Sequence, residues 1–263
     1  MGKIIAVVNQ KGGVGKTTTC VNLVAALKEQ GKRVLLCDFD PQANATSGMG
    51  VDKTLTQGVY DVLINGIAPE KRVVSTRYGD VLPSCKGLAG AGIEMIGMEG
   101  RELLLRNALH QLSDNYDYIL IDCPPSLELL TLNGLCAADS VLVPVQAEYF
   151  AAENMTELIS TVQNIKRHIN PKLKIGGVFM TMANDTNFRK DIVASVREAY
   201  GKHLPIMQTV IPDTVRLAEI STADCSIFKH EPKGKAADAY RTLVQEVMDI
   251  GEKQRSRSVN VTR

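Results

Sequence analysis

Across its 263 residues the chain has no CxxC pair, no repeat, no low-complexity block, no Gly/Ser- or Pro-rich linker and almost no net charge. Each absence closes off a class of protein. Thirty lysines and arginines against 29 acids leave a formal charge of +1, so the chain as a whole is no polycation and any nucleic-acid surface has to be local. The six cysteines, Cys20, Cys37, Cys85, Cys123, Cys136 and Cys225, lie mostly among apolar residues and read as buried free thiols of a reducing compartment. An iron–sulfur site shared between subunits would need cysteines on two switch segments, and Cys123 and Cys136 do not make that set. No apolar run reaches the ~18–20 residues that span a bilayer. The opening MGKIIAVVNQ runs straight into a strand, without the charged, apolar and small-residue regions of a signal peptide. The expected location is the cytoplasm.

What is present is an ordinary globular composition, 44% hydrophobic and 22% charged, in a chain long enough to bury its own core. Strand-like apolar runs cover 4–9, 33–39, 118–122, 140–145 and 173–181. Helical spacing covers 17–30, 99–112, 127–137, 150–169, 188–200 and 235–250. Uniformly apolar strands between helices predict a single α/β domain, with a mostly parallel central sheet flanked by helices on both faces. That domain is expected over 1–251, and 252–263 reads as a polar, basic, flexible tail with no apolar face.

The strongest local signal is NQKGGVGKTTT, residues 9–19, which follows a strand and opens a helix. Gly12, Gly13 and Gly15, with Val14 between them, let backbone amides approach phosphate oxygens, and the helix start adds its dipole. Lys16 brings a point charge to the β- and γ-phosphates, the Thr17 hydroxyl is placed to ligate Mg²⁺, and Thr18 belongs with the loop to the expected nucleotide contacts. This is the pattern of a phosphate-binding P-loop, with one departure: position 10 is Gln10, and a second lysine, Lys11, precedes the glycine pair. Acids follow at the carboxyl ends of later strands, the ligand-binding edge of an α/β sheet. Asp38 and Asp40 lie in CDFDPQANATSG, and only one of them need face the nucleotide. Asp122 ends YILID, well placed to hold Mg²⁺, and Pro124-Pro125 stiffens the backbone that follows. Glu148 and Glu153 follow VPVQ; pairing with Lys11 or a ribose, and plain solvation at a helix start, both stay open.

The two-lysine KGGVGKT loop is the deviant Walker A pattern of the ParA/MinD superfamily. With DPQANATSG, YILIDCPPS and VPVQAEYFAAE it resembles the ParA/Soj partition ATPases over residues 3 to about 245. The resemblance implies ATP hydrolysis with Mg²⁺ in an ATP-dependent sandwich homodimer. Lys11 would reach the phosphates held by the partner subunit, Asp40 would position the attacking water, and Asp38 would lie near the magnesium shell. VIPDTVRLAE resembles the family's adenine-contacting VIPRNVRLSE, which makes Pro212 and Asp213 the candidate base contacts, although Asp-Thr stands where the family has Arg-Asn. Arg216 falls on a family DNA-contact arginine. The family's other such arginine has no match, and Arg189 and Lys190 are its candidate replacements. Between 160 and 240 there are twelve Lys/Arg against eight Asp/Glu, a local basic excess. The implied partners are non-specific double-stranded DNA and a ParB-type protein that stimulates hydrolysis, with a nucleoid-associated location. No membrane attachment is expected, since the tail lacks the apolar face of a MinD-like amphipathic helix. Nor is sequence-specific operator binding by an added helix-turn-helix domain expected.

Overall fold

Residues 3–7 read KIIAV, and alternate side chains of this run enter two different cores, Ile4 and Ala6 one, Ile5 and Val7 the other. A strand without a polar face has to be covered by helices on both sides. That is the architecture of the computed structural model, which describes residues 2–148, 151–184 and 186–261, the side chains of 151–154, 187–189, 221–222 and 251–261 excepted. The strands are β1 (Lys3–Val7), β2 (Val34–Asp38), β3 (Val74–Ser75), β4 (Asp80–Leu82), β5 (Tyr118–Asp122), β6 (Ser140–Gln146), β7 (Lys174–Ala183) and β8 (Ile206–Pro212). They form one sheet in the order β3-β4-β2-β5-β1-β6-β7-β8, parallel throughout except for the β3–β4 pair.

The helices are α1 (Lys16–Glu29), α2 (Asn44–Gly48), α3 (Val59–Ile64), α4 (Leu88–Glu94), α5 (Leu104–Leu112), α6 (Leu129–Ala137), α7 (Ala151–His168), α8 (Asn187–Tyr200), α9 (Val215–Thr222), α10 (Ile227–His230) and α11 (Lys235–Val261). Helices α3 to α8 cover the face reached by Ile4, Leu35, Ile121 and Val143. Helices α1, α2, α9, α10 and α11 cover the face reached by Ile5, Leu36, Leu120 and Leu142. All six cysteines are buried and unpaired. Among the described residues no helix is long and apolar enough to cross a membrane.

Three strands and five helices go beyond the periodicity reading. Most are short pieces in 44–97 and 206–230, where runs of two to eight residues are too brief to establish a period. The last helix also continues past 250 to Val261, through the first ten residues of the expected tail.

The free edge at β8 is closed by its own neighbours. Val178 pairs with Ile206 but Met180 with Val210, so β8 carries two extra residues at that point. The amides of Gln208 and Thr209 turn outward and donate to Glu246 of α11, at 2.9 and 2.8 Å. Arg197 of α8 donates to the Gln208 carbonyl at 2.9 Å. A bulge with its polar groups already taken is a poor template for another strand.

Candidate nucleotide site

Residues 8–15 carry the chain from the centre of the sheet into α1. Gly13 and Gly15 have φ of 74° and 90°, left-handed values that a side chain would strain. A Cβ at either would meet no atom within 4 Å, so a hollow stands open in front of the loop. Gly15 caps α1 without a side-chain hydrogen bond and the first turn holds no acid, which leaves the helix start to an outside anion. Two polar side chains pin the loop from behind. Asn9 accepts from the Lys11 amide at 2.9 Å and donates to the Pro144 carbonyl at 2.7 Å; Thr181 donates to the Val14 carbonyl at 2.9 Å. Lys16 is 7% exposed, and its ammonium donates to the Lys11 carbonyl at 3.0 Å. Burial lowers its pKa, against the pull of Asp122 and Asp40.

Asp38 and Asp122 are register partners on adjacent strands, both fully buried on the α1 side. Asp122 accepts from the Thr17 hydroxyl at 2.8 Å and, through its other oxygen, from the Cys20 thiol at 3.6 Å. Asp38 accepts from both the amide and the hydroxyl of Thr46 at 2.7 Å, and from the Asp40 amide at 3.2 Å. Burial raises both carboxyls above the usual range; Asp38 adds to the rise at Asp122. Two buried carboxylates beside one lysine make a site that gains from a divalent cation. Among the described residues no group of three or more acids, histidines or cysteines is arranged to hold one. A metal here would therefore take Thr17 and Asp122 plus oxygens of substrate and water, the sparse protein shell that suits Mg²⁺. Asp38, placed beside them, spends its lone pairs on α2 and the segment leading to it. Asp40 accepts from the Gln42 amide at 2.9 Å.

Lys11 leaves the loop sideways, and its ammonium contacts the Glu148 carboxylate and, at 3.2 Å, the Gln146 side chain at the end of β6. The Glu153 side chain lies outside the described residues. Pro212 and Asp213 border a pocket of about 190 Å³ with Gly15, Thr18, Leu217 and Tyr240, which joins the loop to the β8 end and is the candidate nucleoside pocket. Arg216 projects from the first turn of α9, where it donates to Glu219 at 2.9 Å and stands 3.8 Å from Glu231. His230 shares the same Glu219 oxygen at 2.8 Å. Lys190 is exposed on α8, and the Arg189 side chain lies outside the described residues. The phosphate loop, Asp38, Asp40 and Asp122 thus converge, whereas Arg216 and Lys190 sit on separate helices.

Sequence reasoning passed over Thr46, Gln146, Thr181 and Cys20. Thr46 lies inside the quoted NATSG run, and a hydroxyl eight residues after a strand-end acid was the signal available.

The AAA_31 family, an AAA domain, matches residues 2–175. The chain is 46% identical to the sporulation initiation inhibitor protein Soj of Bacillus subtilis, over 95% of this chain and all of that one. It is 42% identical to the chromosome partitioning protein ParA of Myxococcus xanthus, over 94% and 88% of the two chains. Among solved structures it resembles cobyrinic acid a,c-diamide synthase of Mycobacterium smegmatis with bound ATP analog and magnesium. The TM-score is 0.84, with 38% identity over 93% of each chain.

Proposed function

Because the chain belongs to the ParA/Soj family of ATPases, we propose that it partitions chromosomal DNA by cycling between an ATP-bound dimer, which holds DNA without regard to sequence, and a nucleotide-released form. The chain binds ATP and Mg²⁺ and hydrolyses ATP to ADP and phosphate. The loop amides and Lys16 hold the phosphates. Thr17 and Asp122 are the residues that would hold Mg²⁺, which supplies charge neutralisation at the phosphate oxygens when bound. Asp40 orients the attacking water, while Asp38, through Thr46, keeps α2 and the segment before it in place. Pro212 and Asp213 face the base.

The observation that carries this reading is the posture of Lys11. Lys16 alone stays within the loop, whereas Lys11 is held to one side by Glu148 and Gln146, a cation with no duty in its own site. Delivered to the phosphates of a second chain, it would stabilise charge that builds in the transition state, and hydrolysis would then depend on dimerisation. A ParB-type partner accelerates that step. Arg216, with Arg189 and Lys190, meets DNA phosphates, and pairing two chains doubles the contacts. The protein works in the cytoplasm, on the nucleoid.

Lys11→Ala and Lys16→Ala separate these roles. Lys16→Ala loses ATP binding by calorimetry. Lys11→Ala still binds ATP but stays monomeric by light scattering and turns over slowly. Asp40→Ala accumulates as an ATP-bound dimer. Partner-stimulated turnover at the wild-type rate in Lys11→Ala would overturn the trans arrangement.

A further inference from the structure

Successive side chains at the end of β8 face opposite sides of the sheet. Ile211 joins the α1/α11 core and borders the nucleoside pocket; Val210 packs with the α8 side and lines a second cavity of about 660 Å³. This cavity wraps the free edge of the sheet between α8 and the start of α11. Two helices bring three cations to it: Lys190 and Arg197, two turns apart on α8, and Lys235, the first residue of α11. Val193 and Val210 give it an apolar floor, and Asp213 is the acid on its wall. Arg197 spends one terminal nitrogen on the Gln208 carbonyl, but its Nε is buried and has no acceptor among the described residues. A guanidinium held by one neutral carbonyl keeps its full positive charge, which with Lys190 and Lys235 makes the cavity attractive to an anion.

We propose that this cavity is a second ligand site, one that takes a phosphorylated small molecule with a flat apolar body, such as a nucleoside monophosphate. Its volume lies within the roughly 300–1,000 Å³ of small-molecule sites. An extended peptide is excluded as a strand partner, because Glu246 and Arg197 already occupy the β8 edge at residues 208–209. A DNA duplex offers phosphates on a convex surface and cannot bring a flat body down onto Val193 and Val210. The segment 212–214 walls both cavities, so occupancy of one changes the fit of the other. That coupling rests on the nucleoside-pocket reading given above; the site itself does not.

The test is calorimetric titration of the full chain saturated with ADP and Mg²⁺, with guanosine 5′-monophosphate as one probe and inorganic pyrophosphate as the other. One further binding event per chain is expected for the monophosphate, with weaker binding of pyrophosphate, which lacks the flat body. Lys235 is exposed at a helix start, so Lys235→Gln spares the fold; it should weaken the event roughly tenfold and leave ADP affinity unchanged when no probe is present. The monophosphate and ADP should alter each other's affinity by one common factor. The proposal is overturned by the lack of a second event, by an event indifferent to Lys235→Gln, by one that saturating ADP abolishes, or by a site that duplex DNA fills and neither probe does. Equal ADP affinity with and without the monophosphate overturns the coupling. If ADP itself fails to bind, the nucleotide-site reading fails instead. The monophosphate is then titrated against nucleotide-free Lys16→Ala, where binding still weakened by adding Lys235→Gln upholds the second site.

Discussion

Replacing Asp122 with asparagine removes one of two fully buried carboxylates that lie side by side on β5 and β2. Burial, and then the charge of Asp38, hold the carboxyl of Asp122 well above the value of about 4 it has in an unfolded chain. Between those two values the folded chain keeps a proton that the unfolded chain has lost. Stability from this group is therefore full at pH below about 4 and is lost as pH rises through the folded value. Thermal melts of the nucleotide-free protein in chelator should show the midpoint falling between pH 5 and pH 8 in wild type. The fall should be smaller in Asp122→Asn, which melts several degrees higher at pH 8 yet no longer binds ATP with Mg²⁺ normally. A wild-type midpoint that does not change over that range would count against the electrostatic account. The phosphate-loop residues and the strand-end acids could be read from the sequence because each lies in one contiguous run whose spacing carries its chemistry. The grip of Thr46 on Asp38 and the contact of Lys11 with Glu148, a possibility the sequence left open, depend on side chains that meet only once the sheet is assembled.

At the scale of elements, β2 and α2 are joined by that Thr46 side chain, whose hydroxyl donates to Asp38 and accepts from the Ser84 amide at 3.0 Å. Thr46→Val keeps the shape and deletes both bonds inside a fully buried site. The expected loss is about 1–3 kcal/mol, read as a lower midpoint in urea with an unchanged slope. Turnover should fall further than ATP affinity, because Asp40 sits in the segment that this contact anchors. A midpoint within error of wild type would show that another contact holds the segment between β2 and α2. The long elements were legible for a simple reason: α1, α5, α6, α7, α8, β1, β2, β5, β6 and β7 repeat their apolar spacing often enough to be recognised. Segment 52–100 offered no such repetition, since β3 has two residues, β4 has three and α3 has six. Strand β8 stayed hidden because its burial alternates from Ile206 to Pro212 while its residue types do not: polar Thr209 lies on the buried side and apolar Val210 on the other, so IMQTVIP shows no apolar–polar alternation.

At the scale of the whole molecule the near-zero net charge would leave the proposed DNA affinity to a few residues, and Arg216 would not act there without competition. Glu219 and Glu231 both lie against it, and His230 shares Glu219. Arg216→Ala should weaken ATP-dependent binding to two unrelated duplexes alike and lower the salt slope by roughly one per chain. Glu219→Gln should tighten binding, since one acid fewer competes with phosphate for the guanidinium. Salt titrations of the three proteins, with dimerisation followed by light scattering, decide the point; identical curves for wild type and Arg216→Ala would take that arginine off the DNA surface. The way the sheet ends has a consequence of its own. One margin, β3, is two residues long, and the other, β8, has its outward groups already engaged. Both margins are therefore poor places for copies of this chain to add strands to one another. If copies meet as proposed, through Lys11 at the nucleotide end, hydrolysis there can undo the contact. An assembly joined only there could be set and reset many times over.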